Sequence, residues 1–478
     1  MQYFKPQQAT QFVGDCMPFF HDGTFHLFYL LDEEHHRARN GFGGHQWAHA
    51  ASDDLVNWRH YPLAVPIGDE GEVDYLSICT GSVFYHAGVF YAFYATRWVG
   101  EDGQRGEYLC RATSSDGVHF TKDSANPFAS PHTWYDTHNF RDPAVFRDEQ
   151  SDQFHMLVTA CERSPQVADR AGCLAHLVSC DLQNWQLQPP FIAGQPGRPG
   201  HSLSPECCDY FEWNGWYYLV WSDPPHATTY RMAREPFGPW LAPADDAFDT
   251  PMARVFKTTA FTNGRRLAVA FLASLANNKD DGRWEYAGNA VFRELMQRED
   301  GTLGMKWPAE MIPSTGAPLG LAWKPSGTTS VDASGAVHVR GLNDLAAVVE
   351  GLHRDVRITL RIVPGPGATY FGLRLRGSGD GRQGYELLFA PREQTVRIFS
   401  VDNPRTARYR CLANVTGLDL PFTVDIIMSD DIIDVCVDNQ RCLCTRLPEL
   451  RGDTLALFSE HGDVTFDNIE VRPLMEQR

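Results

Sequence analysis

One module recurs through the first two-thirds of this chain and limits what it can become. A short turn carrying Gly, Asn or Asp is followed by a run of apolar and aromatic residues. The copies begin at His21-Asp22-Gly23, His86-Ala87-Gly88, Ser151-Asp152, Trp213-Asn214-Gly215 and Thr262-Asn263-Gly264. Turn residues of this kind ahead of β-branched and aromatic residues read as a hairpin entering a buried strand. A second segment follows several copies: Ala50-Ala51-Ser52-Asp53-Asp54-Leu55-Val56-Asn57-Trp58 has counterparts in Ala112–Phe120 and Leu177–Trp185, and a looser one in Tyr230–Trp240. Repeated several-stranded units with little amphipathic helix between them predict an all-β chain built as a five-bladed β-propeller. An irregular β-sandwich is the weaker alternative.

The repeat fades after Trp307-Pro308, and Ser314–Gly320 reads as a linker. Beyond it, Tyr370–Arg376, Tyr385–Phe389, Val424–Met428 and Leu455–Phe458 alternate with period two, which predicts a C-terminal β-sandwich. The expected domains are therefore a propeller over 1–313 and a sandwich over 314–478. The sandwich reads as structural or as part of a homodimer contact.

Composition removes other classes. The formal net charge of -18 argues against nucleic acid or an anionic membrane surface as a partner. No apolar run reaches the roughly 20 residues of a membrane span. The first residues lack the basic and apolar regions of a secretory signal. The 12 cysteines show no paired CxxC zinc spacing, so reduced thiols in a cytoplasm are expected.

Three acidic residues keep step with the repeats: Asp15, Asp142 and Glu206 stand at or before the first, third and fourth copies. Innermost propeller strands line a shared funnel. Carboxylates gathered there raise one another's pKa, which gives the ionised and protonated pair used to cleave a glycosidic bond. Taken singly, each reads as a solvated turn residue; the shared spacing singles them out. Glu33–Arg39 reads as a solvated loop, with a pocket cap as the alternative. His45 and His49 read as hydrogen-bonded structural residues rather than ligands, and Cys16 and Cys207 as packing. Arg97, Arg105 and Arg111 are candidates for the pocket mouth.

Gly14-Asp15-Cys16-Met17-Pro18, Arg141-Asp142-Pro143 and Glu206-Cys207 with Asp209-Tyr210-Phe211 resemble the three acidic motifs of glycoside hydrolase family 32, the invertases, levanases and inulinases. Trp47–Trp58, Cys79-Thr80-Gly81-Ser82, Ala287–Leu295, Val435–Asn439 and Leu455–Glu460 resemble further segments of that family, in order along nearly the whole chain. The resemblance implies a five-bladed propeller with an appended sandwich. It implies Asp15 as nucleophile, Glu206 as general acid/base and Asp142 as transition-state stabiliser. The implied reaction is retaining, with the carboxyl pair about 5–5.5 Å apart, and it needs neither metal nor cofactor. Arg141, Phe42, Trp47, Cys79, Thr80 and Cys207 fall at substrate-binding positions.

The chain also departs from the family pattern. The usual Asn-Asp-Pro-Asn-Gly is Gly14-Asp15-Cys16-Met17-Pro18 here. A usual Gln falls near Leu30 or Leu31, a usual Trp appears as Phe42, and a usual Phe-Ser pair is Cys79-Thr80. The catalytic carboxylates are kept while the sugar-holding shell is changed. The expected function is hydrolysis of a small β-fructofuranoside-like substrate. The alternatives are a fructosyltransferase or difructose-dianhydride-processing enzyme using the same carboxylates, and a sugar-binding propeller without catalysis.

Overall fold

A computed structural model describes residues 3–33, 43–100, 102–165, 170–193, 205–223, 227–341 and 343–475. The chain is all-β, a five-bladed propeller followed by a β-sandwich. Blade one runs through Phe12–His21, Thr24–Asp32, Gln46–Ser52 and Arg59–His60, innermost strand first. Blade two is Ile78–His86, Val89–Val99, Arg105–Ser114 and Thr121–Lys122. Blade three is Tyr135–Asp148, Gln153–Glu162, Gly172–Ser179 and Gln186–Ala193. Blade four has Glu206–Trp213, Trp216–Ser222 and Thr228–Ala233. Blade five has Ala253–Ala260, Arg266–Leu275 and Trp284–Gln297, and the N-terminal Tyr3–Phe4 pairs with its last strand.

The turn residues explain the hairpins. Asp22 and Gly23 (φ 46° and 79°), Ala87 and Gly88 (49° and 84°), and Asn214 and Gly215 (50° and 75°) are left-handed in succession. That geometry matches the right-handed twist of the flanking strands. The second repeated segment is a side-chain-built turn. Asp54 Oδ1 accepts from the N–H groups of Val56 and Asn57, at 2.8 and 2.7 Å. Asp116 and Asp181 do the same for Val118 and His119 and for Gln183 and Asn184. The residues that follow, Leu55, Gly117 and Leu182, are all left-handed (φ 64°, 72° and 61°). Leu55 and Leu182 are nonetheless fully buried, so burial of the leucine offsets the strain of that conformation.

The innermost strands of blades one to four share one irregularity. Register with the neighbouring strand slips between Val13 and Cys16, Ile78 and Gly81, Arg141 and Ala144, and Glu206 and Asp209. Each slip is a β-bulge that places two residues opposite one. The bulged pairs are Gly14 and Asp15, Cys79 and Thr80, Asp142 and Pro143, and Cys207 and Cys208.

Contacts divide the chain into two compact units that interleave along the sequence. One contains 1–246, 254–271 and 285–295; the other contains 247–253, 272–284 and 296–478. The second holds two seven-stranded sheets. Val356, Ile358, Leu360 and Ile362 alternate inward along one strand, and Phe371, Leu373 and Leu375 along another, into a shared apolar core. Among the described residues no helix is long and apolar enough to cross a membrane.

Candidate active site

The expected catalytic residues Asp15 and Asp142 sit in these bulges and Glu206 directly before one, where a local kink re-aims side chains off the regular pleat. Asp15 is the second bulge residue of blade one. Its Oδ2 receives a short hydrogen bond from the Thr80 hydroxyl, the matching bulge position of blade two. The Cys207 thiol, from the bulge of blade four, lies 3.6 Å from the same oxygen. Asp142, from the bulge of blade three, is left-handed (φ 57°) and 2% exposed. Its Oδ2 accepts from Thr159 Oγ1 at 3.1 Å and from the backbone N–H of Cys207 at 3.0 Å. Cys207 is left-handed too (φ 52°), which aims its N–H at Asp142. A non-glycine residue held there costs roughly 1–3 kcal/mol, the kind of strain found at functional sites. One residue, Cys207, thus touches both Asp15 and Asp142.

Glu206 immediately precedes that bulge. Arg141 Nη2 donates to Glu206 Oε1 at 2.6 Å, while Nη1 donates to Glu107 Oε2 at 3.2 Å and Asn139 Oδ1 at 3.1 Å. Glu107 also accepts from the backbone N–H of Phe140 at 2.9 Å, and Arg97 Nε stands 3.6 Å from its other oxygen. The result is a charge-alternating row, Arg97, Glu107, Arg141, Glu206, in which the arginine fork fixes the Glu206 carboxylate. Burial alone would depress the Arg141 guanidinium, but Glu107, Glu206 and Asp142 together hold its pKa well above the ordinary value.

Burial raises the Asp15 carboxyl above its usual range. The Thr80 hydrogen bond opposes that shift, and the neighbouring Asp142 and Glu206 add to it. Burial and the surrounding carboxylates push the Cys207 thiol well up, so it stays a protonated donor; burial takes Cys79 up to about 12. Neither is a nucleophilic thiolate.

Asp15, Thr80, Arg141, Asp142, Glu206 and Cys207 are therefore brought together. Cys79 adjoins them, 5% exposed. Trp47, expected at a substrate-binding position, is fully buried; its indole N–H donates to the Cys79 carbonyl at 2.9 Å, so it braces the blade-two bulge from behind. Phe42 and most of the Glu33–Arg39 stretch lie outside the described residues. Arg111, a candidate for the pocket mouth, instead donates to Leu182 O at 2.5 Å and to Asp123, a packing role. Arg105 is exposed at the start of its strand. His49 is structural, 2.9 Å from His26. Cys16 is fully buried, its thiol 3.5 Å from Gly14 O. Sequence reasoning missed Glu107, and also Tyr286, whose hydroxyl accepts the backbone N–H of Asp15 at 3.1 Å. Tyr286 stands one residue before the recognised Ala287–Leu295 segment, which was the one signal available. Among the described residues no group of three or more His, Cys, Asp or Glu could hold a metal ion.

Fold and site together define a five-bladed propeller with three carboxylates at or beside the bulges of its innermost strands and a sandwich appended. Residues 9–303 match the family model for the glycosyl hydrolases family 32 N-terminal domain, and the chain belongs to that family. It is 30% identical over 205 residues to a sucrose-6-phosphate hydrolase of Escherichia coli, covering 41% of this chain and 38% of that protein. The chain thus spans well under half the length of that relative. A levanbiose-producing levanase of Bacillus subtilis is 22% identical over 505 residues, covering 95% of this chain and 87% of that one. The solved fructan 1-exohydrolase IIa of Cichorium intybus superposes with a TM-score of 0.74 at 16% identity, covering 100% of this chain and 97% of that one.

Proposed function

We propose that the chain is a retaining glycoside hydrolase acting on a small β-fructofuranoside-like substrate. The observation that carries this reading is the linkage of Asp15, Asp142 and Glu206, from three blades, through Cys207 and Arg141. In the first step the Asp15 carboxylate attacks the anomeric carbon while Glu206 gives its proton to the leaving oxygen, forming a glycosyl ester and a free alcohol. In the second, Glu206 takes a proton from water, whose oxygen displaces Asp15 and releases the sugar. Asp142, fixed by Thr159 and the Cys207 N–H, binds sugar hydroxyls and stabilises the transition state. Arg141 positions Glu206.

The twelve cysteines are all free, which supports a reducing, cytoplasmic setting. We assign the chemistry to the propeller, residues 1–313, and a structural role to 314–478.

The test is a product-resolved assay with sucrose, sucrose 6-phosphate, inulin- and levan-type oligosaccharides and difructose dianhydrides. Asp15→Asn and Glu206→Gln are each expected to lose at least about 1,000-fold in kcat. Wild-type rates in both variants on a confirmed substrate would sink the assignment. New linkages among the products, in place of free sugar, would mean transfer rather than hydrolysis.

A further inference from the structure

The bulges of blades two and four meet at one cation. Lys257, in the strand Ala253–Ala260 of blade five, is 4% exposed. Its Nζ donates to Gly81 O at 3.0 Å and to Cys208 O at 2.9 Å. Gly81 directly follows the blade-two bulge, and Cys208 closes the blade-four bulge. A bulge interrupts the hydrogen-bond ladder, so carbonyls beside it take partners from elsewhere. Here one side chain from a third blade serves both.

The same two bulges carry the groups that reach the candidate nucleophile. Thr80, one residue before Gly81, gives its hydroxyl to Asp15 Oδ2. The thiol of Cys207, one residue before Cys208, lies 3.6 Å from that oxygen. The ammonium thus ties together the segments on which both neighbours of Asp15 Oδ2 stand. Its own partners are neutral carbonyls, and a buried cation held that way is costly unless opposite charge stands near. The site supplies that charge. Burial, Asp142, Asp15 and Glu206 push the Cys207 thiol up and Lys257 opposes them, so one thiol feels the ammonium and all three carboxylates.

The lysine is itself held in place. Thr258, the next residue, donates to Asp209 Oδ2 from its N–H at 2.8 Å and from its hydroxyl at 2.6 Å. Arg266 Nη1 donates to Thr258 Oγ1 at 2.7 Å, and its guanidinium lies 3.8 Å from the centre of the Phe211 ring. Asp209 and Phe211 belong to Glu206–Trp213. The strand that carries Lys257 is therefore fixed to the strand that carries Cys207.

We propose that Lys257 is a positioning residue for the nucleophile, its ammonium holding the bulges of blades two and four at the spacing that lets Thr80 and Cys207 both meet Asp15 Oδ2. This rests on the reading of Asp15 as nucleophile.

Lys257→Met keeps an unbranched stem and removes the ammonium. Wild type, Lys257→Met, Thr80→Val, the double variant and Asp15→Asn are assayed on the panel above. Lys257→Met is expected to lower kcat/KM roughly 10- to 100-fold, mainly through kcat. The acid limb of its pH profile should move to higher pH, because a loosened Thr80 stabilises the Asp15 carboxylate less. The loss in the double variant should be at least about fivefold smaller than the product of the single losses, because both changes act on the same oxygen. An ammonium acting by charge alone, or only on the fold, would give losses that multiply. That result, an unmoved acid limb, or a kcat/KM within about threefold of wild type overturns the proposal. Should Lys257→Met lack the native near-ultraviolet circular dichroism, Lys257→Gln, which keeps an N–H donor without the charge, carries the same measurements. Failure of both to fold would assign Lys257 to the fold alone and overturn the proposal too. Undiminished turnover in Asp15→Asn, or a wild type silent on the whole panel, overturns the fructosidase reading and this inference with it.

Discussion

At the residue scale, Thr80 and Asp15 give the sharpest prediction on pH. As the proposed nucleophile Asp15 attacks only when ionised, so activity is expected to rise with pH through its pKa. Burial raises that pKa and the Thr80 hydroxyl lowers it. Thr80→Val removes the stabiliser of the carboxylate. The acid limb of the kcat/KM profile should then move to higher pH, by a few tenths to about one unit. An unmoved limb, or one moved to lower pH, would mean that Thr80 does not tune the nucleophile. Asp15, Asp142 and Glu206 were legible in the sequence because each lies beside a strand-like repeat and within a short motif. Glu107 and Tyr286 were not. Glu107 matters through Arg141, 34 residues on, and Tyr286 through Asp15, 271 residues back. No local pattern encodes contacts that the closed ring of blades creates. Trp47 shows the converse limit, since a recognisable motif position can serve the strand beside the pocket rather than the pocket itself.

At the element scale, the hairpins were legible because Asn-Gly and Asp-Gly turns announce themselves, and the Ser-Asp turns because Asp caps its own turn. The bulges were hidden. One inserted residue changes which side chain faces the axis without changing composition or apolar spacing. The same scale carries a stability prediction. His26 Nδ1 lies 2.9 Å from His49 Nε2 in blade one, and His155 Nδ1 2.8 Å from His176 Nε2 in blade three. Burial, with the neighbouring imidazole adding to it for His49 and His176, lowers His49 to about 3 and His176 to about 4; burial and His21 lower His26 to about 4. These groups stay neutral in the folded chain at pH values where the unfolded chain would protonate them near 6.5. The unfolded state then binds more protons, so the stability they contribute is present above about pH 6.5 and lost as pH falls toward 4. Urea unfolding at pH 7.5 and pH 5 should show a clear loss at the lower pH. His49→Gln with His176→Gln should shrink that difference. An undiminished pH dependence in the double variant would assign the acid sensitivity to other groups.

At the scale of the whole molecule, the linker-like Ser314–Gly320 marks a change of pattern along the chain, but the compact units do not follow chain order. Segments 247–253 and 272–284 belong to the unit that holds 296–478. Their hydrogen bonds show the physical reason. Asp249, 1% exposed, accepts the N–H of Cys444 at 2.9 Å, and Thr250 donates to Cys444 O at 3.2 Å. Asp280, 5% exposed, accepts from the Tyr385 hydroxyl at 3.1 Å, and its carbonyl accepts from Arg410 at 2.8 Å. Hydropathy patterning cannot reveal this, because the partners are polar groups 105 to 195 residues apart. A chain ended after residue 313 would keep Asp249 and Asp280 while losing those partners. Each lost hydrogen bond to a charged group is worth about 1.5–3 kcal/mol, against a typical total of roughly 5–15 kcal/mol. The fragment 1–313 should therefore show reduced near-ultraviolet circular dichroism and rapid limited proteolysis within 247–284, while the full chain resists. A fragment as protease-resistant as the full chain, with the same melting temperature, would show that these segments do not depend on residues beyond 313.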